Sequence, residues 1–123
     1  MFRTILLVGI GGGIGSIFRY LTAVYIQKNI AHLFPWATFT ANILGCLTIG
    51  LLLGLSEKYN FVSSDLKYLF ITGFCGGYTT FSTFMAENVS LIENGHMPVA
   101  FLNIAFSILA GLAATWLGLY LVR

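Results

Sequence analysis

Gly73-Phe74-Cys75-Gly76-Gly77-Tyr78-Thr79-Thr80-Phe81-Ser82-Thr83-Phe84 lies inside an apolar segment long enough to cross a membrane. Glycine and β-branched residues weaken a helix interior. In lipid, non-helical backbone is tolerated only where it faces protein or a wet cavity. Two readings therefore fit the stretch. It is either a broken transmembrane helix that builds an ion site or a glycine-rich packing surface on a continuous one. The residues of the stretch alone leave both open.

Outward from it, the composition settles the class. Of 123 residues, 58% are hydrophobic and 8% charged, whereas a soluble domain is about 25% charged. The chain is expected to be an integral, all-α membrane protein, one domain over 1–123. The net charge of +2 is spread thinly, with no basic run to hold nucleic acid. Cys46 and Cys75 sit in apolar segments without a CxxC or Cys/His cluster, which argues against a disulfide or a metal–thiolate site. Met1-Phe2-Arg3 opens an apolar run that resembles a secretory signal. No short hydrophobic region with a clear cleavage site follows, so the run is read as the first spanning helix.

A spanning helix needs about 20 mostly apolar residues. Four segments qualify: Thr4 to Ile26, Trp36 to Leu55, Leu66 to Leu91 and Pro98 to Val122. Pro35 and Trp36 suit a helix start at an interface. Glu57-Lys58-Tyr59-Asn60 reads as a polar loop, Ser64-Asp65 as an N-cap and Asn94-Gly95-His96-Met97-Pro98 as a turn. Four spans place both termini on one side with Arg3, Lys58, Lys67 and Arg123. Lys28 falls on the other side, with or without Arg19, a count of four against one or two. The positive-inside rule then favours cytoplasmic termini, by a margin small enough to leave mixed orientation open. Four short helices have little interior, so polar residues within the spans need a partner chain; a dimer is the simplest.

The first segment carries Gly9-Ile10-Gly11-Gly12-Gly13-Ile14-Gly15-Ser16. No strand precedes it, so a nucleotide loop is excluded. Gly9/Gly13 and Gly11/Gly15 are pairs that let membrane helices approach closely. Arg19 is either a snorkelling interfacial cation or a vestibule charge that attracts anions. Thr38, Asn42 and Gly45 share a face of the second helix. Asn42 must be satisfied, by a neighbouring helix or as a donor lining a pore, with Gly45 leaving room for an ion. In the third segment Phe81 and Phe84 point the same way, and Asn88 extends their stripe. Phenylalanines at that spacing usually face lipid or core, but the positive ring edge can also contact an anion without trapping it. Glu87 is either a structural partner at a helix end or a proton site or gate at a pore mouth. Asn88-Val89-Ser90 matches a glycosylation sequon at the end of a span, where the match carries no information. Asn103, Ser107, Gly111 and Thr115, each four apart, form a polar-to-small row that serves packing or hands an ion along.

Together these residues resemble the Fluc family of small bacterial fluoride channels. The resemblance covers nearly the whole chain. It rests on Gly12-Gly13-Ile14-Gly15-Ser16-Ile17-Phe18-Arg19-Tyr20, on Thr40-Ala41-Asn42-Ile43-Leu44-Gly45 and, most specifically, on the Gly73–Phe84 stretch. It implies an antiparallel homodimer of four-helix subunits in the bacterial inner membrane, with two fluoride pores and a third helix broken near the dimer axis. It also implies a structural sodium ion at the break, held by the backbone carbonyls of Gly76 and Thr79. Asn42, Phe81 and Phe84 map to pore positions, Ser107 and Thr115 to a hydroxyl track, and Arg19 and Glu87 fall at the vestibule. Where many relatives carry a tyrosine in the fourth helix, this chain has Asn103. The implied activity is passive fluoride export, with no motif for nucleotide hydrolysis.

Two alternatives stand beside it. A proton-coupled small multidrug exporter has a similar size but relies on an acid in its first helix; none is present here, so Glu87 would have to serve. A non-transporting membrane subunit would need the packing glycines but not the Asn42, Phe81 and Phe84 set.

Overall fold

The computed structural model describes residues 1–30, 33–59 and 62–123. Asn60, in the expected polar loop, lies outside the described residues. The elements are α1 (Phe2–Asn29), α2 (Trp36–Lys58), α3 (Ser64–Lys67), a π-helical stretch (Tyr68–Cys75), α4 (Gly76–Tyr78), α5 (Ser82–Glu93) and α6 (Met97–Val122). No strand occurs among the described residues. The helices α1, α2 and α6 are each long and apolar enough to cross a membrane. The third segment is divided. Its helical winding stops at Tyr78, Thr79 is extended at φ −86° and ψ 158°, and α5 starts at Ser82.

The chain packs as two parallel pairs. α1 lies along the π-helical stretch and α4, while α2 lies along α6, with α5 also resting on α6. Glycines set both contacts. Gly11 presses on the Leu69 carbonyl, Gly15 on that of Phe74, and Gly77 on that of Gly12; a Cβ at any of these would collide with backbone. Gly50 and Gly118 do the same between α2 and α6. Small residues of this kind replace the hydrophobic driving force that lipid removes. Of the two expected glycine pairs in the first segment, Gly11/Gly15 carries the packing. A Cβ added at Gly9 or Gly13 would meet no other element within 4 Å.

An unequal response to alanine follows. Gly15→Ala is expected to destabilise the detergent-solubilised protein by about 1–3 kcal/mol, because backbone must move. Gly9→Ala is expected to be neutral or stabilising by up to about 1 kcal/mol, from helix propensity alone. Denaturant midpoints of the two variants check the contrast; equal shifts would refute it.

The buried residues include Ala41, Tyr78, Phe84, Leu91 and Ala100 together with the polar Thr38, Asn88 and Asn103, whereas Ile10, Ile14, Ile17, Leu109, Leu112 and Trp116 are exposed. Large apolar side chains on the outside suit lipid as the solvent. Arg3 pairs with Asp65 at 2.7 Å and Arg123 with Glu57 at 3.5 Å, which gathers both termini and the α2–α3 connection at one end.

Local capping differs by one residue from expectation. Ser63, not Ser64, caps α3, its Oγ accepting from the Leu66 N–H at 3.3 Å. Ser64 is already helical, and only the residue before it has the extended backbone a cap requires. The expected turn after Glu93 is present. Gly95 has φ +82°, and the His96 N–H donates to the Leu91 carbonyl at 2.7 Å. Such a left-handed residue closes a helix C-terminus, and glycine takes it without strain.

Candidate functional site

The non-helical turn at Thr79–Phe81 is where the site is built. In a continuous helix the Thr80 N–H would donate to the Gly76 carbonyl four residues back. Here it donates to Asn42 Oδ1 at 2.8 Å, and Asn42 Nδ2 donates to the Thr80 carbonyl at 3.1 Å. Asn42 thus holds both backbone groups of Thr80 from a neighbouring helix. The Thr83 N–H, due to reach Thr79, donates instead to Thr80 Oγ1 at 3.3 Å. Thr79 closes the preceding turn: its N–H and its hydroxyl both donate to the Cys75 carbonyl, at 3.0 and 2.8 Å. Two side chains, Asn42 and Thr80, therefore take the donors that would have carried the helix through.

A cavity of about 340 Å³ opens beside this turn, lined by Asn42, Thr79, Thr80, Phe81, Phe84 and Ser107 among others. It brings four of the expected pore residues together. The two phenylalanines differ in setting. Phe84 is 7% exposed, on the face of α5 it shares with Asn88 and Leu91. Phe81 is 74% exposed, because it precedes the helix instead of sitting within it. Their centroids are 6.4 Å apart and the rings tilt by 47°. Gly45 also lines the cavity, but the room it leaves is filled by the Thr79 methyl, which a Cβ would strike. The expected space for an ion directly beside Gly45 is occupied on that side.

Thr115 is not among the residues lining this cavity. Its carbonyl lies against Gly50, about 12 Å along α6 from Ser107 at 1.5 Å per residue. The row on α6 thus passes from α5 to the cavity to α2, as each member meets a different neighbour. Asn103 is 1% exposed and donates to Asn88 Oδ1 at 2.8 Å. Ser107 donates to Asn103 Oδ1 at 3.1 Å.

Arg19 and Glu87 line a second cavity of about 300 Å³ with Ser16, Thr38, Thr80 and Thr83. Arg19 Nε and Glu87 Oε1 are both buried without a hydrogen-bond partner. Glu87 also lines a third, outer cavity of about 660 Å³, between the ends of α1 and α5 and the start of α2. The three cavities are neighbours that share lining residues. Glu87 is common to the outer and middle ones, and Thr80 to the middle and inner ones. Thr80, the residue Asn42 holds, is the partition.

The donor set at the turn suits a hard cation. Oxygen ligands suit such ions, and here the Gly76 carbonyl has lost its helical partner beside an extended Thr79. Gly76 is exposed, with nothing within 4 Å of where a Cβ would stand. No group of three or more His, Cys, Asp or Glu residues that could hold a metal occurs among the described residues. Gly76 and Thr79 would therefore act through backbone carbonyls.

Three helices long and apolar enough to cross a membrane, packed beside cavities whose linings carry Arg19, Glu87, Asn42 and Ser107, define a small, multi-pass, all-helical membrane protein. Residues 6–119 match the profile of the family described as CrcB-like protein, Camphor Resistance (CrcB). The chain is 50% identical over 121 residues to the fluoride-specific ion channel FluC of Flavobacterium psychrophilum, covering 98% of each. It is 47% identical over 123 residues to FluC of Azobacteroides pseudotrichonymphae, covering 100% of this chain and 98% of the relative. FluC of Methylobacillus flagellatus is 43% identical over 120 residues, covering 97% and 94%. The chain belongs to the CrcB/FluC family, and it is a multi-pass bacterial membrane protein.

Proposed function

We propose that this chain is a fluoride channel that releases cytoplasmic fluoride passively, as an antiparallel homodimer with two pores and a structural sodium ion at its centre. The observation that carries this reading is the set of three neighbouring cavities that share Glu87 and Thr80 in their linings, one of them lined by Asn42, Phe81, Phe84 and Ser107. The names of the relatives supply the ion. Ser64–Glu93 crosses the membrane as one interrupted span, whose turn needs a second copy to cover it. Phe81, 74% exposed in one subunit, then meets the partner.

Fluoride is small and strongly hydrated, so a narrow pore must replace its water. Arg19 draws the anion into the middle cavity, where its Nε lacks a partner. Deeper in, hydrogens of the Asn42 amide, hydroxyls and ring edges each replace part of the shell. Nδ2 has two hydrogens, and Thr80 takes one. None of these donors carries a full charge, and a conducting site must bind weakly enough to release. The Gly76 carbonyl, which has lost its helical partner, and the Thr79 carbonyl of each subunit would hold the sodium ion, which would supply positive charge near both pores and a link between the two chains. The multidrug-exporter reading gains nothing, since the span Phe2–Asn29 contains no acid.

Purified protein in liposomes loaded with fluoride tests the proposal. Fluoride release followed with an ion electrode is expected to be fast, independent of a pH gradient and far greater than chloride release. Silence in that assay, or release only when protons move, overturns it.

A further inference from the structure

Ser107 lines the cavity beside the Thr79–Phe81 turn, yet its hydroxyl hydrogen is engaged elsewhere, by Asn103 Oδ1 at 3.1 Å. Asn103 Nδ2 donates in turn to Asn88 Oδ1 at 2.8 Å. The chain of donors ends on Asn88 Nδ2, which is buried with no acceptor. Asn88 is 3% exposed and Asn103 1%, so bulk water relieves neither.

A buried N–H without an acceptor is the rarer defect; a carbonyl with an unused lone pair is better tolerated. An asparagine amide has an acceptor and a donor end of nearly the same shape. A half-turn of both amide groups keeps every heavy atom in place and reverses every donor. Asn88 Nδ2 then donates to Asn103 Oδ1, and Asn103 Nδ2 donates to Ser107 Oγ. The Ser107 hydrogen is released towards the cavity, and the group left over becomes the Asn88 carbonyl.

We propose that Asn88, Asn103 and Ser107 form a reversible hydrogen-bond relay, whose polarity decides whether Ser107 offers its proton to an anion in the cavity. The relay rests on the fluoride-channel reading of that cavity. In the polarity in which Ser107 donates to Asn103, its hydroxyl presents only lone pairs to the cavity, and these repel an anion. In the reversed polarity it presents a donor. A small, charge-dense anion compensates for the released hydrogen better than a large one does, so the relay favours fluoride over chloride. Asn103 is a positioning residue in this scheme, acting through Ser107 without touching the ion.

Efflux from liposomes is compared for the unaltered chain, Asn103→Asp, Ser107→Ala and the double variant. In its ionised form, reached by raising the pH on both sides of the membrane, a carboxylate at position 103 only accepts and so holds the Ser107 hydrogen. Each single change is expected to slow fluoride release about tenfold or more, the loss of one hydrogen bond to a charged partner. The double variant is expected to be no slower than the slower single one. Effects that multiply would mean that the new carboxylate simply repels the anion, and would overturn the relay. A second measurement needs no substitution. Side-chain amide signals of Asn88 and Asn103 in nitrogen-15 spectra of the unaltered dimer are expected to shift together on exchanging gluconate for fluoride. Signals that stay in place sink the relay even if the variants fail to fold. Absence of release from the unaltered chain would sink the channel reading itself; multiplying effects in a conducting chain sink only the relay.

Discussion

Asn42→Leu is expected to lower fluoride efflux at least about a hundredfold, equivalent to about 2.7 kcal/mol in the barrier. The reason lies in the backbone as much as in the pore. Asn42 gives Thr80 both an acceptor, at 2.8 Å, and a donor, at 3.1 Å. Leucine has neither, so two partly buried backbone groups are stranded, each at a cost of about 1–3 kcal/mol. The chain can recover part of that loss by closing the Thr80 N–H onto the Gly76 carbonyl and extending α4 by one residue. That closure moves Thr80 from its place between the middle and inner cavities and consumes a carbonyl proposed for sodium. Two measurements follow it. Fluoride efflux should collapse, and the stability of the dimer should lose its dependence on sodium. Leu-variant dimers that conduct at the parental rate would show that Asn42 neither shapes the turn nor lines the path.

The long, mostly apolar segments were legible because hydropathy needs no tertiary information. The first, second and fourth spans are helices that start and end within a few residues of the expected bounds. Faces were legible too, since spacing by three or four places residues on one side of a helix. Neighbours were not. The spacing of Gly9/Gly13 and Gly11/Gly15 is identical, yet only the second pair meets the third segment. Asn42 was seen to need partners, but those lie 38 residues away, at a separation no local pattern encodes. Asn103 stood out as a departure from relatives. Its partner Asn88 passed as part of an aromatic stripe and a sequon, because nothing between residues 88 and 103 marks the two amides as opposed. Buried asparagines on consecutive antiparallel helices were the available signal. The composition of Gly73–Phe84 marked its glycines and its threonines alike as weak points; Gly76 and Gly77 stay α-helical and Gly73 lies in the π-helical stretch. The winding stops at Thr79 and Thr80, where other side chains take the donors. Glycine made room for α1; competition for hydrogen bonds made the turn.

Phe81→Ile and Phe84→Ile together are expected to lower fluoride efflux by about a hundredfold or more, with each single change contributing at least about tenfold. Isoleucine keeps an apolar side chain but has no ring quadrupole, whose positive edge is what an anion can contact. In stability the two positions should part company. Phe84 is 7% exposed, so its replacement leaves a partly filled gap and costs something short of the about 3–5 kcal/mol typical of Phe→Ala. Phe81 is 74% exposed, so its replacement should hardly affect a single subunit. Phe81→Ile is therefore the cleaner probe of the ring edge, and Phe84→Ile the control that mixes packing with chemistry. Efflux assays on variants first shown to be dimeric separate the effects. If Phe81→Ile dimers release fluoride at the parental rate, the ring edge is no part of the pathway there. The inner cavity would then conduct through the Asn42 amide and the hydroxyls alone. If Phe81→Ile is slow but Phe81→Tyr, which keeps a ring edge, is fast, aromatic character and not side-chain bulk carries the step.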